Sequence, residues 1–167
     1  FDKDACLKIF AAKGRPADNP LIVHIAHESQ LADIVAEVNE NAKKLMEAFW
    51  PGPLTIVMKK SEKIPYEVSA GLDTVAIRMP SHEGARKIIE ASGLPLAAPS
   101  ANASGKPSPT KASHVIEDLD GKIDAVVDGG DCSVGVESTV ISLCEAPPRL
   151  LRRGGITAEM LTDTLAE

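Results

Sequence analysis

The feature that most constrains the fold of this chain is the alternation of short β-branched runs with segments of helical periodicity. Apolar runs of strand length are bounded by Pro, Gly or Asp, which is typical of β-strands. The predicted strands are Leu21–Ile25, Leu54–Met58, Val75–Met79, Leu94–Ala98, Ile123–Val127, Val136–Leu143 and Arg149–Leu151. Helical spacing predicts helices at 5–12, 31–38, 45–49, 85–89 and 115–119. The pattern therefore predicts one α/β (α+β) domain in which helices pack on a sheet.

Composition limits the class of protein further. Aromatic residues make up only 3% of the 167 residues, so the core must be built from Val, Ile, Leu and Ala. The net charge of −6 argues against bulk attraction to nucleic acid, although Lys13, Arg15, Arg152 and Arg153 could converge in a local basic pocket. Three cysteines without metal-ligand spacing fit a reducing compartment, and no apolar run is long enough to span a bilayer. We expect a cytoplasmic protein without a membrane segment.

Two polar loops predict a site for a phosphorylated ligand. The loop Pro99–Ser108 follows an apolar strand, and it concentrates hydroxyl and amide groups in a short, stiff segment. The segment Lys13-Gly14-Arg15-Pro16 places two cations one residue apart, where they can straddle a polyphosphate. The alternative for Lys13 and Arg15 is a basic helix end that answers the helix dipole before a plain turn.

Two polar residues lie inside predicted strands. Arg78 stands between Ile77 and Met79, and an arginine there needs an anionic partner, which is Asp73, Glu137 or a substrate carboxylate. His24 is flanked by Val23 and Ile25, and it either satisfies a backbone group or reaches a substrate at the sheet edge.

The remaining polar segments are weaker signals. Asp128-Gly129-Gly130-Asp131 is either a turn or a contributor to Mg²⁺ binding, and Glu137-Ser138-Thr139 interrupts an apolar strand. No nucleophile with a partner base, zinc spacing or P-loop stands out. A site of Lys, Arg, Ser, Asn and Thr favours phosphoryl or nucleotidyl transfer by positioning and charge stabilisation.

Several of these segments together resemble one known family. The segments are Lys13-Gly14-Arg15-Pro16, Asn19–His24, Phe49–Thr55, Thr74–Pro80, Ala98–Asn102, Glu137–Val140 and Leu151–Gly154. In this order, from Ala11 to Ile156, they resemble the YrdC/Sua5 family of threonylcarbamoyl-AMP synthases. The resemblance implies a twisted, open, mixed sheet with packed helices and a concave basic cavity.

The resemblance also implies a reaction and its residues. L-threonine, bicarbonate and ATP would give L-threonylcarbamoyladenylate and pyrophosphate, for the threonylcarbamoyladenosine (t6A) modification of tRNA by a downstream transferase machinery. Lys13 and Arg15 would be catalytic, with Mg²⁺ expected to accompany ATP. By the same register, ATP would contact Arg15, Asn19, Thr74, Ser100, Asn102, Ser108 and Arg152. Threonine would contact His24, Arg78, the Ala98 backbone and Ser138.

Two alternatives stay open at this level. One is a module of the same fold that binds double-stranded RNA or tRNA, and the other is a relative that forms a different carbamoyl adenylate. The family begins with a Thr-Glu-Thr-Val-Tyr-Gly-Leu-like segment that this chain lacks. We therefore expect residues 1–167 to be a single domain of the short type, incomplete at its N-terminus.

Overall fold

The computed structural model describes residues 2–133 and 135–166. The helices are α1 (Lys3–Lys13), α2 (Glu40–Phe49), α3 (Tyr66–Ser69), α4 (Glu83–Ser92), α5 (Ala112–Leu119) and α6 (Ala158–Ala166), with a 3-10 helix at Glu28–Asp33. The strands are β1 (Ile22–His24), β2 (Leu54–Lys59), β3 (Thr74–Arg78), β4 (Leu96–Ala97), β5 (Thr139–Ser142) and β6 (Arg149–Arg152). Among the described residues, no helix is long and apolar enough to cross a membrane.

The strands form one mixed sheet in the order β4-β1-β3-β2-β5-β6. The pairs β1–β3 and β2–β5 are parallel, and the other neighbours are antiparallel. This arrangement confirms the predicted open, mixed sheet with packed helices.

The core lies on one face of this sheet. Alternate residues of a strand point to opposite faces, and the fully buried ones include Leu54, Ile56 and Ile77. They join Leu45 of α2 and Leu161 of α6 in one apolar cluster. Burial of each such side chain contributes about 1.5–3 kcal/mol. Because the helices cover this face, the polar residues of the same strands lie on the other one.

Caps fix the ends of the helix that leads into the first polar loop. The Asp2 carboxylate accepts a hydrogen bond from Ala5 N at 3.0 Å at the start of α1. Gly14 ends the helix in the left-handed region, at φ 60°, and its N–H donates to Ala11 O. Lys13 is therefore the last helical residue and faces inward.

Several predicted elements are absent or shortened in the structure. Ile123–Val127 forms no strand, and Val127 is 75% exposed, because neither edge of the sheet pairs with this segment. Residues 31–38 form only the end of the 3-10 helix and an isolated bridge between Val35 and Lys60. The strands predicted at Leu94–Ala98 and Val136–Leu143 are confined to β4 and β5.

Candidate active site

Five polar side chains meet at one end of the sheet, and we call them the arginine face: His24, Thr55, Arg78, Ser138 and Arg152. The topology explains the meeting. His24 and Arg78 end the parallel strands β1 and β3 and are Cα partners. Because β2 runs antiparallel to β3, its beginning with Thr55 lies at the same end. Because β5 is parallel to β2 and β6 returns beside β5, Ser138 and Arg152 arrive there too.

Arg78 has no carboxylate partner within the described residues. Its Nε donates to Gly52 O at 3.0 Å, and neither Asp73 nor Glu137 forms an ion pair with it. Burial lowers the pKa of this half-buried guanidinium, and Arg152 adds to the lowering through charge repulsion. Of the three partners expected from the sequence, the two protein carboxylates are therefore wrong. The third partner, a substrate carboxylate, stays a prediction.

His24 beside Arg78 is neutral at pH 7. Its Nδ1 lies 3.1 Å from Ile22 O, and because a carbonyl only accepts, Nδ1 carries the proton in this contact. Burial lowers the pKa of His24 to about 4, and the charge on Arg78 acts in the same direction. The imidazole therefore adds a polar group, without a charge, beside Arg78.

Ser138 is the centre of a hydroxyl and guanidinium contact. Its Oγ lies 2.7 Å from Thr55 Oγ1, and both side chains are buried. Arg152 donates from Nε to Ser138 O and from Nη2 to Ser138 Oγ, each at 2.9 Å. The two hydrogen bonds hold the Arg152 guanidinium against the start of β5.

A β-bulge places Arg152 on this face. Ile141 pairs with Leu150, but Val140 pairs with Arg152, so Leu151 is an extra residue in β6. Without the bulge Leu151 would oppose Val140, and the Arg152 side chain would point to the opposite face. The local register thus decides which residue joins Ser138.

Two glycines bring the backbone close to the arginine face. A Cβ on Gly154 would lie 2.7 Å from the carbonyl carbon of Ser138 and would also collide with main-chain atoms of Glu137 and Thr139. A Cβ on Gly52 would collide with Phe49 O, and this tight turn aims Gly52 O at Arg78. Side chains are excluded at both positions, because larger residues would displace the strands that carry the site.

A second group, which we call the loop network, joins Lys13 and Asn102 to the main chain of residues 100–106. Lys13 is only 7% exposed, and its Nζ donates to Ser100 O, to Asn102 O at 2.6 Å and to Asn102 Oδ1 at 3.3 Å. Burial lowers the pKa of Lys13, with Arg15 acting in the same direction and Asp118 opposing. The two polar loops predicted from the sequence are thus joined through a buried ammonium.

Helix α5 supports the same loop from outside. The Asp118 carboxylate accepts from Ala103 N at 3.0 Å and from Lys106 Nζ at 2.5 Å. The Lys13 carbonyl also accepts from Ser104 N at 2.8 Å. The loop is therefore fixed by groups from two helices.

Three other predicted ATP residues lie at the end of the sheet where β1 and β3 begin. Arg15 donates from Nη2 to Asn19 O at 2.9 Å and to Pro20 O at 3.2 Å, and burial lowers its pKa. Asn19 itself is exposed. Thr74 begins β3 on the same face as Arg78, about 13 Å away along the strand.

Ser108 and Ala98 lie apart from the groups that the sequence suggested. The Ser108 hydroxyl donates to Glu137 Oε1 at 2.8 Å, which places it beside Ser138. Ala98 N donates to Ile22 O at 3.0 Å, so the ladder uses its N–H at the far end of β1. The structure thus groups Arg152 and Ser108 with predicted threonine residues, and Ala98 with the ATP loops.

Sequence analysis missed the part that Thr55, Gly52, Gly154 and Leu151 play. From its two prolines, the segment Pro51–Thr55 is expected to be a stiff structural turn from helix to strand, with Trp50 at the core edge. Trp50 is indeed buried and donates from Nε1 to Leu54 O at 2.8 Å. A threonine inside an apolar strand was the one local signal that pointed to Thr55.

The described residues contain no group of three His, Cys, Asp or Glu side chains that could hold a metal ion. In the segment Asp128–Asp131, Asp128 Oδ1 accepts from Gly130 N at 2.9 Å, which is the geometry of a turn. This segment therefore forms the turn that was one of its two predicted alternatives.

The chain closely matches proteins of one family. Residues 1–154 match the Sua5/YciO/YrdC family, whose description is telomere recombination. The threonylcarbamoyl-AMP synthase of Pyrococcus abyssi is 57% identical over 167 residues, which are 100% of this chain and 49% of that protein. The Bacillus subtilis synthase of the same name is 59% identical over 159 residues, 95% of this chain and 46% of that protein.

A solved structure shows the same fold. The crystal structure of P. abyssi Sua5 complexed with L-threonine superposes with a TM-score of 0.96 at 57% identity, and covers 99% of this chain and 49% of that one. The chain spans about half the length of the curated relatives it matches. With the predicted motifs, the mixed sheet and these matches in agreement, the chain belongs to the Sua5/YrdC family.

Proposed function

We propose that this chain carries the catalytic site of an L-threonylcarbamoyladenylate synthase, a nucleotidyltransferase. The observation that carries the proposal is the half-buried Arg78, which has no carboxylate partner among the described residues and lies beside a neutral histidine. An arginine in this setting is suited to a ligand carboxylate, because two parallel N–H groups can bind both oxygens. The relatives named threonylcarbamoyl-AMP synthase support threonine as that ligand.

In the proposed complex, Arg78 holds the carboxylate of L-threonine. Its Nη groups remain for this purpose, because Nε is the atom that donates to Gly52 O. His24 and Ser138 supply neutral polar groups for the amine or hydroxyl of the amino acid. We keep the Ala98 backbone as a proposed contact through its carbonyl oxygen, since its N–H belongs to the sheet.

The proposed reaction needs no nucleophile from the protein. The threonine amine and bicarbonate form a carbamate with loss of water. A carbamate oxygen then attacks the α-phosphorus of ATP, and the bond to pyrophosphate breaks. Arg15 and Arg152 would stabilise the charge that develops on the phosphates, with Asn19, Thr74, Ser100 and Ser108 as polar contacts. Mg²⁺ would accompany ATP and neutralise part of the phosphate charge.

Pyrophosphate release by the full-length protein tests this proposal. Release should require ATP, L-threonine and bicarbonate together, and mass spectrometry should detect the threonylcarbamoyl adenylate. Arg78→Lys should raise the KM for threonine about 10- to 100-fold with little change in ATP binding, because a point charge replaces the bidentate group. The matched control is Arg86→Lys on α4, which should leave both constants unchanged. Release without threonine would contradict the proposal.

The same protein can be tested for the two alternatives. An RNA-binding module would bind tRNA with an affinity that falls steeply as salt rises, and it would release no pyrophosphate. A different carbamoyl-adenylate synthase would release pyrophosphate with bicarbonate and another acceptor in place of threonine. We also propose that the product of the synthase is the substrate of a tRNA-modifying transferase.

A further inference from the structure

We propose that Lys13 is a positioning residue that fixes the Ser100–Asn102 segment, and that it does not bind the phosphates of ATP. This inference deepens the proposed function, because the segment is part of the proposed ATP site. It differs from the catalytic role that the family resemblance implied for Lys13.

The Lys13 ammonium is fully hydrogen-bonded to the protein. A protonated lysine has three N–H donors and no acceptor. All three are matched by oxygen atoms of the loop network, namely Ser100 O, Asn102 O and Asn102 Oδ1. With the side chain only 7% exposed, no donor is left for a phosphate oxygen. A ligand would have to break one of these bonds to reach Nζ.

Asn102 is committed to the same network. Its Nδ2 donates to Ala103 O at 3.0 Å and to Lys106 O at 2.8 Å, while its Oδ1 accepts from Lys13. The side chain is 6% exposed. Both amide hydrogens and the amide oxygen thus shape the loop, and Asn102 links the ammonium to the turn at Lys106.

The consequence for the ligand follows from the peptide plane. In a trans peptide the C=O and the next N–H point in opposite directions. Because Ser100 O points to the buried ammonium, the N–H of Ala101 points away from it, on an exposed part of the loop. Lys13 therefore orients a main-chain donor, and the exposed Ser100 hydroxyl beside it, toward an anionic ligand.

The test uses Lys13→Met, Lys13→Arg and the control Lys87→Met in the full-length protein. Lys87 lies on α4, where its exposed ammonium pairs with Glu83 of the same helix. Lys13→Arg keeps the positive charge, but a flat guanidinium cannot place its donors on three oxygens that converge on one nitrogen. Hydrogen exchange of the Ala103, Ser104 and Lys106 amides is measured without ligand, and ATP affinity is measured by calorimetry.

Both Lys13 variants should speed exchange of these amides at least about 10-fold and weaken ATP binding about 10- to 100-fold, since charged hydrogen bonds to the loop are lost. Lys87→Met should change neither by more than about 3-fold. Wild-type ATP affinity in Lys13→Arg would overturn the proposal, because charge alone would then suffice. Unchanged exchange in either Lys13 variant would also overturn it.

The exchange measurement stands apart from the proposed function. It is made on the protein without ATP, so it reports the loop even if the protein binds no nucleotide. Failure of the wild-type protein to bind ATP would count against the synthase, whereas unaltered loop amides would count against the role of Lys13. If Lys13→Met does not fold, Lys13→Arg alone decides the matter.

Discussion

The loop network and the arginine face both place a cation against main-chain carbonyl oxygens, but they leave different capacity for a ligand. In the loop network, all three N–H donors of Lys13 form hydrogen bonds to oxygens of Ser100 and Asn102. On the arginine face, Arg78 donates a hydrogen bond to the protein only from Nε, to Gly52 O, among the described residues. A cation in a family motif is therefore not enough to assign a ligand contact. The number of donors left after the protein's own bonds separates a supporting group from a binding group.

The largest expected effect on stability comes from adding a side chain at Gly154, where the backbone of Glu137–Thr139 lies very close. This change should disrupt the arginine face and leave the loop network intact. Gly154→Ala places a Cβ 2.7 Å from the Ser138 carbonyl carbon, and only a shift of β5 can relieve the collision. We expect a loss of about 3 kcal/mol or more in the free energy of unfolding, measured by urea denaturation. The loop network should keep its amide protection in the folded fraction.

The neighbouring glycine is the control for this change. A Cβ on Gly155 would meet Pro53 Cγ at 3.5 Å, which is ordinary contact. Gly155→Ala should change the unfolding free energy by less than about 1 kcal/mol. An equal loss in the two variants would show that the tight approach to Ser138 is not the cause.

The next largest expected effect is a pH dependence of stability caused by His24. It tests the electrostatics of the arginine face, which the loop network does not share. The pKa of His24 falls from 6.5 to about 4 on folding, so the unfolded chain binds more protons between these pH values. The contribution of His24 to the free energy of unfolding is fully present above pH 6.5 and is lost as the pH falls toward 4. Below pH 4 this group causes no further change. The expected loss is about 3 kcal/mol, measured by urea denaturation across this range.

Two variants separate the causes of that shift. His24→Gln should remove most of the pH dependence in this window. Arg78→Met removes the second cause of the shift and should raise the pKa of His24, as followed by imidazole NMR signals. A His24 that titrates at its ordinary value in the wild-type protein would contradict its burial beside Arg78.

The smallest expected effect concerns the hydroxyl pair on the arginine face. Thr55→Val keeps the shape of a fully buried side chain but removes one of the two hydrogen-bond partners of Ser138 Oγ, leaving Arg152 Nη2 as the other. We expect a loss of about 1–2 kcal/mol in unfolding free energy, together with weaker threonine binding in calorimetry. Thr162→Val, at an exposed position on α6, is the matched control and should change neither.

The strands of the sheet could be predicted from the sequence more accurately than the separate roles of the residues in the site. Local alternation suffices for β2 and β3, because each strand carries its own buried residues. It fails at Ile123–Val127, where an apolar run has no neighbouring strand to pair with. Strand formation there depends on a partner, which periodicity does not report.

The roles of Lys13 and Arg78 could not be separated from sequence for a similar reason. The oxygens that surround Lys13 Nζ belong to residues 87 and 89 positions away along the chain. The backbone that excludes a side chain at Gly154 belongs to Glu137–Thr139. Spacing along the chain predicts which residues share a loop, but the count of free donors exists only after the chain has folded.

The extra residue Leu151 bears on how gaps are interpreted when relatives of this chain are aligned. Leu150 and Arg152 lie two positions apart yet face opposite sides of the sheet, so their side chains meet different selective pressures. A relative that lost Leu151 would shorten β6 and still place its arginine opposite Val140. A relative that gained one more residue before Arg152 would, with the same one-residue bulge, place the residue that precedes the arginine there instead. Deletion and insertion at this point are therefore unequal events in the divergence of the family.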